Sequence, residues 1–350
     1  MNAPIPTSSP YTHNAQNVRK VMLQVQVAAF PALIAYIYFF GFGIVIQWLL
    51  AVATLIVVEY TMLKLRGRPV MPFLTDMSAL ITITGLVFCI PPGAPWWLII
   101  SGSAFALIFG KHLYGGLGYN PFNPAMLGYA FLLISFPIQM TMWVAPSEVT
   151  GYYMGFMDAA HLVFTGEIPG MSLDAISGAT PLNEMRIGVS QGISVVETLN
   201  PIMSAETQKS HYLFGFTSWE WINLIFMLGG LWLLYIRAIR WQFPVGFLGS
   251  LALMGFIFHS IDPATYPPVD FVLLSGGTML AAFFIITDPV TASTTPKGRF
   301  IYAAGIGILV YVIRSWGAFP DGIAFAIILM NIAVPLIDQY TQPRVFGHRR

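Results

Sequence analysis

Long apolar runs separated by short polar segments dominate this sequence. Ten runs are long enough to cross, or nearly cross, a hydrocarbon core about 30 Å thick. A chain in lipid must satisfy its backbone hydrogen bonds internally, so each run predicts a helix. The third, fourth and ninth runs are short, which predicts tilted, broken or protein-shielded spans. The ten predicted spans are 21–41, 44–63, 77–91, 95–110, 123–144, 217–236, 243–259, 270–286, 300–315 and 322–338.

The segments between the spans differ in basic charge. If the N-terminus is cytoplasmic, 13 of the 16 Lys and Arg residues fall in cytoplasmic segments. Short cytoplasmic loops of membrane proteins are rich in these residues. The charges therefore predict cytoplasmic tails at 1–20 and 339–350 and a periplasmic segment at 145–216. The basic residues on the periplasmic side are Arg186, Lys209 and Arg314, and only Arg314 lies in a short loop.

The spans form two sets of five, 21–144 and 217–338. Residues 118–125 precede span five and residues 317–324 precede span ten, and both stretches carry Gly, Pro and Ala at the same offsets. An odd number of spans in each set inverts the second set across the bilayer, as in known inverted repeats. We therefore predict an all-α polytopic membrane protein with two inverted five-helix repeats and one periplasmic loop domain.

The composition agrees with solvation by lipid. The 350 residues are 56% hydrophobic and 9% charged, whereas soluble domains carry about 25% charged residues. The mean hydropathy is +0.71. A net charge of +1 argues against a nucleic-acid partner, because no basic patch is available to neutralise phosphates. The single cysteine, Cys89, excludes an internal disulfide and disfavours an iron–sulfur cluster, which usually has four Cys ligands.

The segment 145–216 has a different composition. It holds seven of the 15 acidic residues and is the longest polar stretch, so it is expected to form a small extramembrane domain. Residues 157–164 have helical apolar spacing. Residues 166–185 are rich in Gly, Pro and Ser, which predicts a loop.

That loop contains the sequence D-x-x-S-G-A-T, from Asp174 through Ser177, Gly178 and Ala179 to Thr180. Thr180 supplies a hydroxyl, the group that a phosphodiester requires. Gly178 has no side chain, so another protein could approach the backbone closely there. Asp174 and Ser177 can hydrogen-bond within the loop and hold it in an accessible shape. Pro181 is expected to stop a regular strand or helix from continuing. The simpler interpretation is an Asx or Ser turn ahead of a helix.

The motif matches the acceptor sequence of periplasmic flavin transferases, which join the phosphate of FMN to a threonine. On these residues the chain resembles the D subunits of Rnf (Rsx) electron-transport complexes. It is more distantly similar to the B subunits of the sodium-pumping NADH:quinone oxidoreductases, although the short N-terminal tail favours the former. The resemblance covers the full chain and includes SSPYTHN, GKHLYGGLGYNPFNPAMLGY, FFIITDPVTASTTPKGR and PLIDQYTQPRVFGHRR.

The resemblance implies FMN linked covalently to Thr180 and a second, non-covalent flavin, riboflavin, among the spans. It also implies an inner-membrane complex that couples electron transfer between NADH and ferredoxin to H⁺ or Na⁺ movement. The expected partners are subunits A, B, C, E and G and a periplasmic flavin transferase, and the chain is not expected to catalyse a reaction alone. A different class of function stays open, namely a small-solute channel or transporter that uses the inverted repeat without redox chemistry.

Several polar residues near the spans have two interpretations. Thr287, Asp288 and Thr291 lie at the cytoplasmic end of span eight and could line an ion or second-flavin path, or simply cap a helix and form a polar loop. The small residues at 275–278 predict close helix packing. Close approach of a cofactor is the second interpretation. Glu59 is expected to reach the interface or to pair locally, with ion transfer the less favoured role. Topology accounts for the charge of Lys111.

Overall fold

The computed structural model describes residues 18–116, 118–199, 217–319 and 321–343. Helices dominate, and the strands within the described residues form one two-stranded sheet. Residues 195–199 are also helical. The remaining elements are α1 (Val18–Phe40), α2 (Gly43–Leu65), α3 (Val70–Leu74), α4 (Ser78–Val87), α5 (Trp96–Leu107), the π-helical turn π1 (Ile108–His112), α6 (Pro124–Ser135), α7 (Pro137–Thr141), β1 (Trp143–Val144), α8 (Ser147–Thr150), α9 (Phe156–Thr165), α10 (Leu173–Ile176), β2 (Ser177–Gly178), α11 (Pro181–Ser190), α12 (Ser218–Tyr235), α13 (Gln242–Ile261), α14 (Val269–Leu274), α15 (Thr278–Leu280), the π-helical turn π2 (Ala281–Ile285), α16 (Pro296–Trp316) and α17 (Ile323–Thr341).

Five of these helices are long and apolar enough to cross a membrane: α1, α2, α13, α16 and α17. Each lies on a predicted span. The ninth span is longer than the sequence suggested, because α16 has 21 residues and begins at Pro296. Thr295 Oγ1 accepts a hydrogen bond of 2.9 Å from the N–H of Gly298. This cap, with proline at the first helical position, starts the helix four residues before the predicted span.

Four other predicted spans are interrupted. The third contains α4, with 10 residues, and the fourth continues from α5 into π1. The predicted fifth span runs to residue 144, but α6 ends at Ser135, ahead of Pro137. The eighth is divided between α14 and the α15–π2 segment. An α-helix needs about 20 residues to cross the hydrocarbon core, so these pieces depend on burial in protein to satisfy their ends.

Corresponding helices of the two predicted halves pack against each other. The first helices, α1 and α12, are in contact, and so are the last helices, α6 and α17. Within each half the second predicted span packs against the fourth, as α2 on α5 and as α13 on α16. These contacts are those that a two-fold relation between the halves would produce. The number of crossings and the inverted arrangement stay predictions.

The interruption in the eighth span is held by a buried amide side chain. Gly276 adopts a left-handed backbone conformation with φ +59°. Asn223 Nδ2 donates to the carbonyls of Leu274 at 2.8 Å and Gly276 at 2.9 Å. Its Oδ1 accepts from the N–H of Met279 at 3.1 Å. The sequence at 275–278 therefore forms a helix break, and its small residues also allow the predicted close packing, because a Cβ on Gly276 would lie 2.5 Å from Leu182 Cδ1.

Arg314, the one basic residue in a short predicted periplasmic loop, closes the same break. Its Nη1 donates to the carbonyl of Val272 at 3.1 Å, and its Nη2 lies 3.2 Å from Asp321 Oδ1. Asp321 Oδ2 in turn accepts from the N–H of Gly277 at 3.2 Å. The Arg314 side chain is 8% exposed. Its charge is thus bound by groups inside the protein, which explains why Arg314 departs from the positive-inside pattern.

The segment between the two halves folds against the junction of α1 and α2. Strand β1 pairs antiparallel with β2, and the predicted helix at 157–164 is present as α9. The N–H of Phe42 donates to the carbonyl of Met154 at 3.1 Å. Gly41 has φ +77°, and a Cβ there would overlap the Met154 carbonyl oxygen. A small apolar core joins the segment to α2 and consists of Ile46, Met154, Ala159, Leu162, Val163, Ile168 and Ile176.

Candidate functional site

Thr180 is the N-cap residue of α11, a helix of ten residues. Its Oγ1 accepts a hydrogen bond of 3.3 Å from the N–H of Asn183. Pro181 occupies the first helical position, so it begins a helix where the sequence predicted only an end to regular structure. The side chain of Thr180 is half-buried. The hydroxyl therefore lies at the positive end of a helix and keeps partial access from outside.

The rest of the motif is more ordered than the predicted loop. Asp174 lies in α10, whereas Ser177 and Gly178 form β2 and pair with Val144 and Trp143. A Cβ on Gly178 would lie 2.9 Å from the Cβ of Ala145, so the glycine is explained by packing inside the chain. The approach of a second protein is not needed to account for it. Ala179 is exposed and directly precedes the acceptor threonine.

Thr180 lies on the wall of a cavity of about 100 Å³ between the two halves of the bundle. Aromatic rings form one side, with the rings of Trp143 and Trp219 5.0 Å apart. Polar groups come from the α11 N-terminus and from the break in span eight. The lining includes Phe88, Trp143, Thr180, Asn183, Trp219, Leu280, Ile285 and Asp321.

Glu184 is the acidic residue in the first turn of α11. Its carboxyl is half-buried, and this desolvation raises its pKa above the ordinary value. Its N–H donates to the carbonyl of Thr180 at 2.9 Å. Burial thus disfavours the ionised form of Glu184. This residue lies in the first turn of α11, the helix that Thr180 caps.

A second and larger cavity, of about 430 Å³, lies at the other end of the bundle. It is bounded by α1, α4, the residues before α6 and the segment after π2. Phe88, Leu280 and Ile285 line both cavities, so a single layer of apolar side chains separates them. The polar wall of the larger cavity consists of Gln26, Ser78, Thr82, Thr84, Lys111, Asn120, Asn123, Thr287 and Asp288.

Two of the three residues predicted for an ion or flavin path reach this cavity. Thr287 and Asp288 line it, whereas Thr291 is buried beside it. Thr291 Oγ1 donates to Asp288 Oδ2 at 2.9 Å, and the N–H of Val290 donates to Asp288 Oδ1 at 3.1 Å. The carboxylate therefore closes its own turn and also borders the cavity. The turn that the sequence predicted is therefore present, and the ion or second-flavin path stays a prediction.

The sequence did not indicate the most buried ionisable group in the described chain segments. Glu59 is 0% exposed, and its Oε1 lies 2.7 Å from Lys111 Nζ and 3.2 Å from His112 Nε2. Glu59 therefore neither reaches an interface nor pairs locally, because its partners are more than fifty residues away. Lys111 is likewise buried rather than a loop charge. Both partners come from π1, a turn type that is often found at functional sites.

These features define a polytopic helical membrane protein with a cavity towards each end of its bundle. The chain belongs to the NQR2, RnfD, RnfE family, whose sequence model matches residues 5–347.

Among individual proteins, the chain is 48% identical over 352 residues to the D subunit of the ion-translocating oxidoreductase complex of Escherichia coli (strain SMS-3-5 / SECEC). The D subunit from Shigella dysenteriae serotype 1 (strain Sd197) is also 48% identical, and that from Escherichia fergusonii is 47% identical. Each alignment covers 98% of this chain and 98% of the relative.

Proposed function

We propose that this chain is the D subunit of an Rnf-type, ion-translocating oxidoreductase complex, and that it relays electrons through FMN esterified to Thr180. The near full-length identity to named D subunits supports the subunit assignment. The position of the Thr180 hydroxyl on the wall of the smaller cavity carries the proposal for the cofactor.

The residues at Thr180 fit a flavin phosphate. A phosphodiester on Oγ1 would lie at the N-terminus of α11, where the positive end of the helix dipole favours an anion. The hydroxyl keeps partial exposure, as a modifying enzyme requires. In the bound state FMN supplies electron transfer, and the protein's contribution is to hold the phosphate and to place aromatic side chains beside the ring.

The size of the smaller cavity limits how the ring can lie. Sites that enclose a drug-sized ligand have volumes of about 300–1,000 Å³. A cavity of about 100 Å³ is too small to enclose a flavin ring. The isoalloxazine is therefore proposed to rest at the mouth, near Trp143 and Trp219, where a neighbouring subunit can exchange electrons with it.

The larger cavity is the better site for the expected non-covalent flavin. Its volume of about 430 Å³ lies within the usual range for an enclosed ligand. Asn120 Oδ1 is buried with no hydrogen-bond partner in the described segments, whereas the Asn123 amide bonds to the N–H of Met126 and the carbonyl of Ile285. Lys111 supplies a cation at the wall. We propose that riboflavin binds here through these groups, with Thr287 and Asp288 at its edge.

The charge distribution supports an orientation in the bacterial inner membrane. Thirteen of the 16 Lys and Arg residues fall in segments predicted on the side of the membrane opposite the Thr180 segment, and the positive-inside rule assigns that side to the cytoplasm. Both termini are then cytoplasmic and the Thr180 segment periplasmic, within reach of a flavin transferase. NADH and ferredoxin would react on partner subunits, among A, B, C, E and G, while ion movement is coupled within the assembled complex.

Mass spectrometry of the peptide containing Thr180 tests the cofactor proposal. The protein is co-expressed with a periplasmic flavin transferase, and the peptide should carry the mass of FMN less water. Thr180→Val should abolish flavin fluorescence on a denaturing gel without loss of membrane insertion. Thr165→Val is the matched control, because this exposed threonine of α9 bonds only within its own segment. An unmodified Thr180 peptide would refute the proposal, and solute flux through the flavin-free chain would favour a transporter.

A further inference from the structure

The buried group around Glu59 is a compact set of ionisable side chains, which we call the Glu59 cluster: Glu59, Lys111 and His112. Lys111 Nζ donates to Glu59 Oε1 at 2.7 Å and to Ser78 Oγ at 3.1 Å. All three members are at least 95% buried. Of the cluster, Lys111 lines the larger cavity, as does its hydrogen-bond partner Ser78, so Glu59 and His112 lie behind that wall and border the cavity through Lys111.

The cluster keeps polar atoms without partners. Glu59 Oε2 and both ring nitrogens of His112 have no aligned hydrogen bond within the described residues, although His112 Nε2 lies 3.2 Å from Glu59 Oε1. Buried polar atoms are usually paired, and an exception requires an explanation. Glu59 and Lys111 neutralise each other, so His112 has no opposite charge left to balance a proton of its own.

The charged residues near His112 do not supply a negative charge that would balance a proton on its ring. Asp76 Oδ1 accepts from Ser78 Oγ at 2.6 Å, so it faces the cluster only through that hydroxyl. Arg66 Nη1 donates to the carbonyl of His112 at 3.1 Å and adds positive charge. Helix α6, which packs against π1, contains no charged residue. Asp288 lies on the wall of the same cavity but belongs to the segment after π2.

From this arrangement we infer that the Glu59 cluster is a proton-binding site, with His112 as the acceptor, that responds to negative charge in the larger cavity. The inference rests on the proposed function, because reduction of a flavin held there is the event that adds the charge. In a buried site two opposite charges attract much more strongly than in water. A proton on His112 is therefore favoured when the cavity ligand is reduced and disfavoured when it is oxidised.

The step balances in charge and atoms. If a flavin bound in the cavity gained one electron from a neighbouring redox subunit, one proton from the cytoplasmic water would add to a ring nitrogen of His112. The resulting imidazolium donates to Glu59, while Lys111 keeps its bond to Ser78. Oxidation of the flavin reverses both changes. No bond between heavy atoms forms or breaks.

Electrochemical reduction of the intact complex in nanodiscs tests this inference. Proton uptake is followed with a pH indicator in weak buffer, after the covalent and non-covalent flavin contents have been measured. His112→Gln should take up one proton fewer per reduced complex than the wild type. His161→Gln is the matched control, because His161 is exposed on α9 and should leave the uptake unchanged.

If the complex with His112→Gln does not assemble, protonation of His112 can be tested on the wild-type complex instead. Wild-type complex with isotope-labelled histidine rings should show imidazole bands lost and imidazolium bands gained in the reduced-minus-oxidised infrared spectrum. Absence of these bands, or equal proton uptake in wild type and His112→Gln, overturns the inference. Absence of flavin from the wild-type complex overturns the proposed function instead, so the two failures are distinguishable.

Discussion

The ion pair between Glu59 and Lys111 gives a quantitative test of how buried charge stabilises this bundle. The two charged atoms are 2.7 Å apart, and their side chains are 0% and 5% exposed. At that distance their attraction is about 6 kcal/mol for an effective dielectric constant of about 20. Desolvation of the two ions costs several kcal/mol each and offsets most of this gain.

Single substitutions should therefore be far more damaging than the double one. Removal of one partner from a buried ion pair usually costs about 3–5 kcal/mol. Glu59→Leu leaves Lys111 with only a neutral hydroxyl partner and should destabilise the protein by about 5 kcal/mol, the upper limit of that range. Lys111→Met should also cost about 3–5 kcal/mol, because it leaves the buried Glu59 carboxylate without its ammonium partner. The apolar pair Glu59→Leu/Lys111→Met should lie within about 1 kcal/mol of wild type.

The assay is reversible unfolding in mixed micelles, followed by tryptophan fluorescence, with the three variants and wild type compared in one double-mutant cycle. Thr61→Val is a suitable control, because this exposed hydroxyl of α2 bonds only to a carbonyl of its own helix. Additive effects in the cycle would refute the reasoning. They would mean that Glu59 and Lys111 are solvated separately, through water in the cavity, and do not act as a pair.

Three further predictions concern the end of the bundle that carries Thr180. Asn223→Leu leaves two carbonyls and one N–H unpaired at the helix break, and should lower the unfolding free energy by at least about 3 kcal/mol in the same assay. Gly276→Ala should cost about 1–2 kcal/mol for its left-handed backbone and also lower in-gel flavin fluorescence, because its Cβ would overlap the Leu182 side chain in the first turn of α11. Gly192→Ala is the control, with φ +79° and open space around it. For Glu184→Gln we expect higher stability than wild type at neutral pH, measured by thermal unfolding. The raised pKa of Glu184 penalises its ionised form in the folded state, so the difference should vanish below about pH 4.

The sequence was sufficient to place the long helices but not the interruptions. The apolar runs at 21–41, 44–63, 243–259 and 322–338 each lie within an observed helix to within a residue or so, because lipid imposes the same composition along a whole span. The run at 270–286 is equally apolar, yet it breaks at Gly276. Its polar support comes from Asn223 and Arg314, which are distant in sequence, so no local pattern could reveal it.

The same difference between local and long-range signals applies to the candidate functional residues. Thr180 was identified from a contiguous motif, and its role as a helix cap is a local property that Pro181 helps to fix. The Glu59 cluster joins residues that are separated by 52 positions in the chain. Lys111 fits a basic loop in any charge count, so its burial is visible only when α2 and π1 are packed together. A pair of opposite charges at the same end of two predicted spans was the one signal present.

The interruptions also explain why the two cavities lie where they do. The smaller cavity is lined by the residue that follows α4, by the break in the eighth span and by the start of α17, at Phe88, Gly276 and Asp321. The larger cavity is lined by the end of the eighth span, the start of α6 and the start of α4, at Thr287, Asn123 and Ser78. The third and eighth spans, and likewise the fifth and tenth, thus exchange roles between the cavities. The predicted inverted repeat would produce this exchange, because each half would then bring its broken helix ends to opposite sides of one central apolar layer. Polar backbone at those ends is what allows ligands and charges to be held at membrane depth.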